Sequence, residues 1–505
     1  MDENNLELVY RQVSASKTVA GDEFEKGIQD FNFSMGRPTC WIPSKSYFLV
    51  TSTLLGPAGV RPSTRNQVAL ADNFCGSLYS SATFRVGGQD VSSNSTFIPQ
   101  CHALRTRSMK SQAFLASVGK SANMSVADFQ ERVAITSSDD LLHSNSQQEY
   151  FPISYSATVG TLSLVISTGV ITASEANSFL KPAIGTSPAY QLIVGDIVVM
   201  GGSFYTITEV RSGTDLTVAI TTAVAGATAI VAPVGTFYGL KMRRRDGTSR
   251  NTTMTVFQPP IGIFNHDAPM GSGDYSFSLN PNPNYKQSCV ESAWRNLTAT
   301  PADYNFLIVD VKLFIATIKS TIPANMPPLI LYEMKAYSKQ LGDLGGTFDY
   351  TVPSSTVALV VFVQPSVTGA NTLAPPTRFT SLDGAHNTIT GLQITYANTT
   401  KPASKWASAF NTTNNSLQQR YLDNLTESGI IDSPGGAEPF GDWLQRGPYY
   451  YYSFNRDRSD KSTPVNVDIS FSSNVLTLNV VLVAIYAVTT DIVTEDGWVV
   501  SVSSK

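Results

Sequence analysis

Charge is scarce in this sequence: only 15% of its residues are Asp, Glu, Lys or Arg, and 35 basic against 39 acidic residues leave a formal net charge of −4. That balance excludes a general electrostatic attraction to nucleic acid or to an anionic membrane, so any nucleic-acid contact must be local. Cysteine is scarcer still. The 4 cysteines, Cys40, Cys75, Cys101 and Cys289, show no C-x-x-C spacing, which argues against a zinc cage and against a disulfide framework. Buried thiols are expected instead. Long apolar runs are missing as well: VALVVFV at 357–363 and VVLVAIYAV at 480–488 fall far short of the ~20 residues that a membrane-spanning helix needs. They read as buried strands, and no membrane span is expected. The opening MDENNLELVYRQV has neither a basic nor an apolar signal region, so synthesis in a cell interior is expected. Without a secretory route, the Asn-x-Ser/Thr triplets at Asn94, Asn123, Asn251, Asn296, Asn398, Asn411 and Asn424 read as composition.

Groups that do chemistry are equally thin. The 4 histidines, His102, His143, His266 and His386, sit in no metal-ligand spacing and beside no G-x-S-x-G elbow. Cys101 and His102 are adjacent, but sequence neighbours rarely point at each other and no third group accompanies them. Asp139, Asp140, Asp303, Asp310 and Asp343 lack the D-x-D-x-D-G loop of a calcium site and read as solvated. The glycines form neither a phosphate-binding loop nor a dinucleotide fingerprint. No catalytic residue, metal ligand or cofactor is assigned, and the chain is not read as an enzyme.

What is present is β-structure. Ser, Thr, Asn and Gly abound and aromatics reach 10%, a mixture typical of strands with hydroxyls on their wet face. Period-2 alternation dominates: Phe31 with Phe33; Ala82, Phe84 and Val86, followed by a Gly87-Gly88 turn; Tyr275, Phe277 and Leu279; Val309, Val311, Leu313 and Ile315; Val465, Val467, Ile469 and Phe471. With 35 Gly and 27 Pro between the strands, this predicts antiparallel sandwiches of the jelly-roll type with long structured loops. One stretch breaks the pattern. CHALRTRSMKSQAFLASV, 101–118, places Leu104, Met109, Ala113 and Leu115 or Val118 on one side of a short helix packed against the first sandwich, and SVADFQERVA at 125–134 suggests another.

At 505 residues the chain is long enough for two domains and an insertion without covalent staples. FLIVDVKLFIATI near 306–318 and VLTLNVVLVAIYAV near 475–488 give both halves the same ending. The prolines of STIPANMPPL place a boundary between them, with a second sandwich beginning at Tyr332. The expected organisation is an arm at 1–25, a first jelly roll over 26–320 and a second over 321–505. A small β-barrel is expected as an insertion at 188–238, with Leu192, Val194, Ile197, Val199, Tyr205, Ile207, Val210, Leu216, Val218 and Ile220 as its core.

Two clusters stand out for binding. Lys241, Arg243, Arg244, Arg245 and Arg250 lie within LKMRRRDGTSR; they read as a solvated loop or ion-pair partners, or in an assembly as a grip on a neighbouring subunit or on DNA phosphates. Tyr449, Tyr450, Tyr451 and Tyr452 form an aromatic run suited to a protein interface or a sandwich core, and alternatively to a sugar platform.

Three stretches carry a family resemblance: FNFSMGRPTCWIPSKSYFLV, PPIGIFNHDAPMGSGDYSFSLNPNPNY, and WLQRGPYYYYSF through EDGWVVSVSS. In this order they resemble the double jelly-roll major capsid proteins of polinton-like viruses and virophages, in the lineage of adenovirus hexons and nucleocytoplasmic DNA viruses. The resemblance implies an all-β fold of two tandem eight-stranded antiparallel jelly rolls with short helices in loops. It also implies a homotrimeric, pseudo-hexameric capsomer that tiles an icosahedral capsid around a DNA genome. The implied partners are further copies of itself, a pentameric vertex protein and minor cement proteins, with at most local, non-specific DNA contact. The implied location is the virion, after assembly inside the host cell. The rival reading is a trimeric receptor- or glycan-binding β-sandwich of a virion surface; a β-sandwich hydrolase is disfavoured because no compact carboxylate pair is present.

Overall fold

Alternating residues with inward apolar and outward hydroxyl side chains can satisfy their backbone only by pairing laterally, and this chain does so almost throughout. The computed structural model describes the chain except residues 1–7, 18, 56–67, 72, 111–147, 154–160, 175–179, 182–189, 192–196, 201–202, 212–214, 220–228, 233–235, 243–252, 293–303, 320–327, 342–344, 366–375, 378, 380–388, 408–415, 431–437, 441–442, 444–446, 472–477, 496–497 and 505.

The first part of the chain contains β1 (Val9–Ser14), β2 (Gln29–Met35), β3 (Thr39–Trp41), β4 (Tyr47–Leu55), β5 (Val68–Leu70), β6 (Tyr79–Val86) and β7 (Gln89–Asn94), followed by helix α1 (Ile98–Met109). An insertion then supplies β8 (Gln148–Ile153), β9 (Leu162–Val165), β10 (Val170–Ala173), β11 (Leu180–Lys181), β12 (Tyr190–Gln191), β13 (Ile197–Met200), β14 (Ser203–Val210), β15 (Asp215–Ala219), β16 (Ala229–Ala232) and β17 (Thr236–Met242). The chain returns to the first body with β18 (Thr253–Phe257), β19 (Gly273–Pro281), β20 (Val290–Ser292) and β21 (Asn305–Lys319). The second body is β22 (Leu329–Leu341), β23 (Gly345–Val352), β24 (Thr356–Pro365), β25 (Ile389–Tyr396), β26 (Thr399–Ala407), helix α2 (Ser416–Ser428), β27 (Tyr449–Ser453), β28 (Thr463–Phe471), β29 (Leu478–Glu495) and β30 (Trp498–Ser504).

Sheet order identifies both bodies as jelly rolls. In the first, β1-β21-β4-β18 faces β2-β19-β6-β7; in the second, β22-β29-β24-β27 faces β23-β28-β25-β26. Numbering each set of eight along the chain gives the same two paths, 1-8-3-6 and 2-7-4-5. The fold is therefore all-β, with two tandem jelly rolls, and in each the connection from the fifth strand to the sixth carries a helix, α1 or α2. The expected alternations are met: Phe31, Phe33, Ala82, Phe84, Val86, Tyr275, Phe277 and Leu279 fill the first core, and Val465, Val467, Ile469 and Phe471 the second. Gly87 and Gly88 both have positive φ and close the β6–β7 hairpin. All four cysteines are buried, and none of them is held in a disulfide.

Several details differ from the sequence reading. Val9–Ser14, assigned there to an arm, is the first strand of the first sandwich, laddered to β21 from Val9↔Thr317 to Ser14↔Lys312. Its side chains are mostly exposed, so its place rests on backbone pairing that no hydrophobic pattern announces. A bulge between Ile308 and Asp310 shifts the phase of β21, which buries Ile308 and turns Val309 outward. The second sandwich starts at Leu329, ahead of Tyr332. The inserted sheet runs β16-β9-β10-β15-β14-β13-β17-β8 and so begins well before residue 188. Its core takes Val198 and Met200 from β13, one residue out of phase with the expected Ile197 and Val199, while Tyr205, Ile207, Leu216 and Val218 point inward as expected. Leu192, Val194 and Ile220, and the second expected helix at 125–134, lie outside the described residues.

The C-terminal strand ties the two bodies together. β30 pairs with β29, yet Val499 is buried in the first core and its N–H donates to the Ser272 carbonyl at 2.8 Å. Replacing Val499 by Ala removes apolar packing from a core that otherwise belongs to residues far earlier in the chain. The expected cost is roughly 1–3 kcal/mol, read as a lower denaturant midpoint; an unchanged midpoint would show that β30 is not anchored there.

Candidate functional site

The joint between the sandwiches concentrates the buried polar groups of the described chain. Two strands cross it. In β22, Leu329 and Leu331 belong to the first core and Met334 and Ala336 to the second. The change of phase falls at Glu333–Met334, two successive buried residues in an otherwise alternating strand. Its partner β29 contributes Leu478 and Val480 to Ile485 to the second core and Ile492 to the first, and the β22–β29 ladder runs unbroken from Leu329↔Thr490 to Leu341↔Leu478.

Helix α1 is wedged against this ladder. Pro99 near its N-terminus suits a position that needs no helical N–H donor. Nearly every residue from Ile98 to Ser108 is buried, although the sequence, IPQCHALRTRSM, is not strongly apolar. Cys101, Ala103 and Leu104 join the second core even though the helix springs from the first sandwich. Its polar side chains are consequently held by specific partners. Gln100 donates to Gln364 Oε1 at 3.1 Å, while Thr106 and Ser108 turn back to the carbonyls of His102 and Leu104.

Two arginines, two positions apart and hence on opposite sides of the helix, divide the joint between them. Arg105 faces the first sandwich, donating to the Pro259 carbonyl at 2.8 Å and to Asn265 Oδ1 at 2.6 Å. Arg107 faces the second, pairing with Glu438 at 3.1 Å and donating to the Gly447 carbonyl at 2.8 Å, with 3% and 2% exposure for the two charged side chains. Its guanidinium also lies over the rings of Phe379 and Tyr449, at 5.0 and 5.2 Å from their centroids.

Glu333 completes the set. Its Oε1 accepts from Ser92 Oγ and from the Gly262 N–H. Burial pushes its carboxyl up to about 7, outweighing the opposing hydrogen bonds of Ser92 and Gly262 and the charge of Arg105. A Cβ on Gly262 would stand 2.7 Å from Glu333 Oε1 and 3.0 Å from the Tyr332 carbonyl, so glycine permits this close approach. His102 is held neutral, at about 3, by burial and then by the positive charges of Arg105 and Lys110.

The sequence clusters fall as follows. Tyr449 to Tyr452 form β27 inside the second sandwich; Tyr449, Tyr450 and Tyr452 are buried and Tyr451 is half-buried. The contacts of this run are intramolecular: Tyr449 Oη donates to the Arg107 carbonyl, and Asn424 of α2 donates to the Tyr449 carbonyl and accepts from the Tyr451 N–H. The run therefore offers no open sugar platform. Lys241 lies in β17, while Arg243, Arg244, Arg245 and Arg250 lie outside the described residues, as do Asp139, Asp140, Asp303, Asp343, His143 and His386. Asp310 forms a surface pair with Lys312. Among the described residues no group of His, Cys, Asp and Glu gathers to hold a metal, and no helix is long and apolar enough to cross a membrane. Arg105, Arg107, Glu333 and Glu438 were not singled out from sequence. The usable signal was Glu333, an acid in phase with Leu329 and Leu331 on the inward side of an alternating strand.

Comparison with known proteins places the fold. No protein-family model matches the chain, and no curated protein matches it in sequence. Among solved structures, a chain of the Sputnik virophage, determined by electron cryomicroscopy, is similar over 100% of this chain and 91% of its own, with a TM-score of 0.51 and 11% identity. The mavirus major capsid protein follows at TM-score 0.45 and 11% identity, covering 98% of this chain and 90% of its own. The Faustovirus major capsid protein does so at 0.47 and 7%, covering 96% and 90%. At these identities the likeness is one of fold.

Two outcomes test the joint. Glu438→Ala leaves Arg107 buried without its carboxylate and is expected to cost about 3–5 kcal/mol of unfolding free energy, whereas loss of a surface pair such as Asp310–Lys312 costs at most about 1 kcal/mol; equal small effects in urea titrations would contradict the assignment. The raised Glu333 carboxyl means that the folded chain holds this proton more tightly than the unfolded one. Its contribution is present below the ordinary carboxylate range and is lost as pH rises towards about 7. Between pH 4.5 and 7, Glu333→Gln should therefore gain stability relative to the wild type as pH rises, on the order of 3 kcal/mol over the interval. His102, whose protonation at low pH opposes folding, is common to both proteins and cancels in the difference. A pH-independent difference would contradict the burial of this acid.

Proposed function

We propose that this chain is a viral major capsid protein: a structural tile that acts through its surfaces and catalyses no reaction. The observation that carries the reading is the architecture as a whole. Two jelly rolls of identical strand order are fused through a shared ladder into one body, in a fold that also spans nearly the full length of a Sputnik virophage chain. Such a body presents a paired, repeated shape. That is what a closed assembly built from few copies needs if it is to approximate higher symmetry.

In this proposal three copies form a pseudo-hexameric capsomer, and capsomers tile an icosahedral shell around a DNA genome, assembled inside the host cell. Further partners are a pentameric vertex protein and minor cement proteins. The basic cluster from Lys241 to Arg250 serves as a local contact to a neighbouring subunit or to packaged DNA, consistent with a net charge too small for general attraction. The burial of Tyr449, Tyr450 and Tyr452 in β27 supports this reading over a glycan-binding one.

Negative-stain microscopy of the purified chain, with its mass measured in solution, tests the proposal. Particles of hexagonal outline with the mass of three copies are expected; a monomer without that outline would contradict it.

A further inference from the structure

Both arginines of α1 are buried, at 3% exposure each, but they are not equally compensated. Arg107 is paired with Glu438. Arg105 meets only neutral acceptors, the Pro259 carbonyl and Asn265 Oδ1, and among the described residues no carboxylate lies within ion-pair distance of it. Its Nε is buried and makes no hydrogen bond. The charge of Glu333 acts on it from further off, but burial favours the protonated, neutral form of that carboxyl. A guanidinium taken out of water without a counter-charge is costly, and the joint contains one.

Further positive charge gathers on the same side. Lys110, which follows the last residue of α1, is brought down to about 8 by burial first and then by the charges of Arg105 and Lys45, with Asp267 opposing. The turns that carry these groups are tied together: the Ser44 N–H donates to the His266 carbonyl at 3.1 Å, and Asn265, which accepts from Arg105, directly precedes His266. Ser44 Oγ and His266 Nε2 are also buried and make no hydrogen bond. Three orphaned polar atoms, each able to donate, therefore share one corner between the end of α1, the turn at 43–46 and the turn at 262–267. Lys45, Asn265 and Asp267 stand exposed at its rim. A cation at the C-terminus of a helix is ordinary, and Lys110 alone would indicate nothing. The uncompensated Arg105 beside the orphaned donors is what calls for a ligand.

We propose that this corner is a binding site for a small inorganic oxyanion of the phosphate class, held between Arg105, Lys110, Ser44 and His266. The Nε–H of Arg105, the Ser44 hydroxyl and the Nε2–H tautomer of His266 donate to its oxygens, and Lys110 and Lys45 supply further positive charge. A compact ion suits the corner better than a phosphate of a polymer backbone, because all three donor atoms are buried. The anion gives Arg105 the counter-charge that Glu438 gives Arg107, so that α1 is anchored to both sandwiches by charge. The unfolded chain lacks the site, and the ion therefore stabilises the folded joint by linkage.

The test is calorimetric titration of the full chain with inorganic phosphate, in a chloride buffer held at constant ionic strength so that general screening does not change. Ser44→Ala and Lys110→Gln are the variants, with Lys312→Gln as a surface-cation control, each checked for an unchanged circular-dichroism spectrum; Arg105 stays in place because its loss threatens the joint itself. Wild type and control are expected to bind one phosphate per chain and to melt at a higher temperature as phosphate is added. Each variant should weaken that binding by about tenfold. No saturable binding by the wild type at millimolar phosphate would overturn the proposal. Equal affinity in the wild type and both variants would overturn it too, by putting the anion elsewhere. Displacement of phosphate by a short single-stranded oligonucleotide, with the same loss in both variants, would make a nucleic-acid phosphate the ligand and overturn the assignment to a small ion.

Discussion

Everything distinctive in this molecule depends on how two sandwiches with separate cores are held together. A covalent linker alone would let them swing, since an interface between domains is by default a weak one. Here β22 and β29 form one ladder that passes from one core to the other, and α1 locks the crossing with an arginine committed to each side. Burying guanidinium and carboxylate groups is costly, and a hydrophobic replacement of similar shape is often as stable. Charged groups demand particular partners in particular directions, however, and Arg107 finds its carboxylate, carbonyl and aromatic faces only when the second sandwich sits in one orientation. The joint fixes geometry first and adds stability second.

The same logic explains why its protonation is balanced. Glu333 is favoured in its protonated form and His102 in its neutral form, so acidification relieves one group while it strains the other. Their opposed contributions flatten the response of the joint to pH over the range in which both titrate.

The extent to which the sequence disclosed this follows from which forces leave a periodic trace. Strand alternation, the Gly87-Gly88 turn and the repeated ending of the two halves come from burial on one side of a pleat, and they were legible. β1 was not, because exposed side chains carry no pattern when the backbone ladder alone holds the strand. The phase of β21 around Val309 and that of β13 around Val198 were lost to a bulge and to a short run in which every residue is apolar. The tyrosine run could be read as interface or core; its place beside Arg107 depends on a helix some 340 residues earlier, at a separation no local motif reports. α1 itself was visible as a helix but was assigned to one sandwich, since nothing in IPQCHALRTRSM shows that its arginines face two ways.

The central claim is that α1 is structurally interior to both sandwiches and not a surface connection. Hydrogen exchange of its backbone amides tests this most directly. The account predicts that residues 98–109 exchange as slowly as β24 and β29, opening only when the two bodies come apart. Fast exchange across α1, with both cores still protected, would show that the sandwiches are joined by the strand ladder alone and would contradict it.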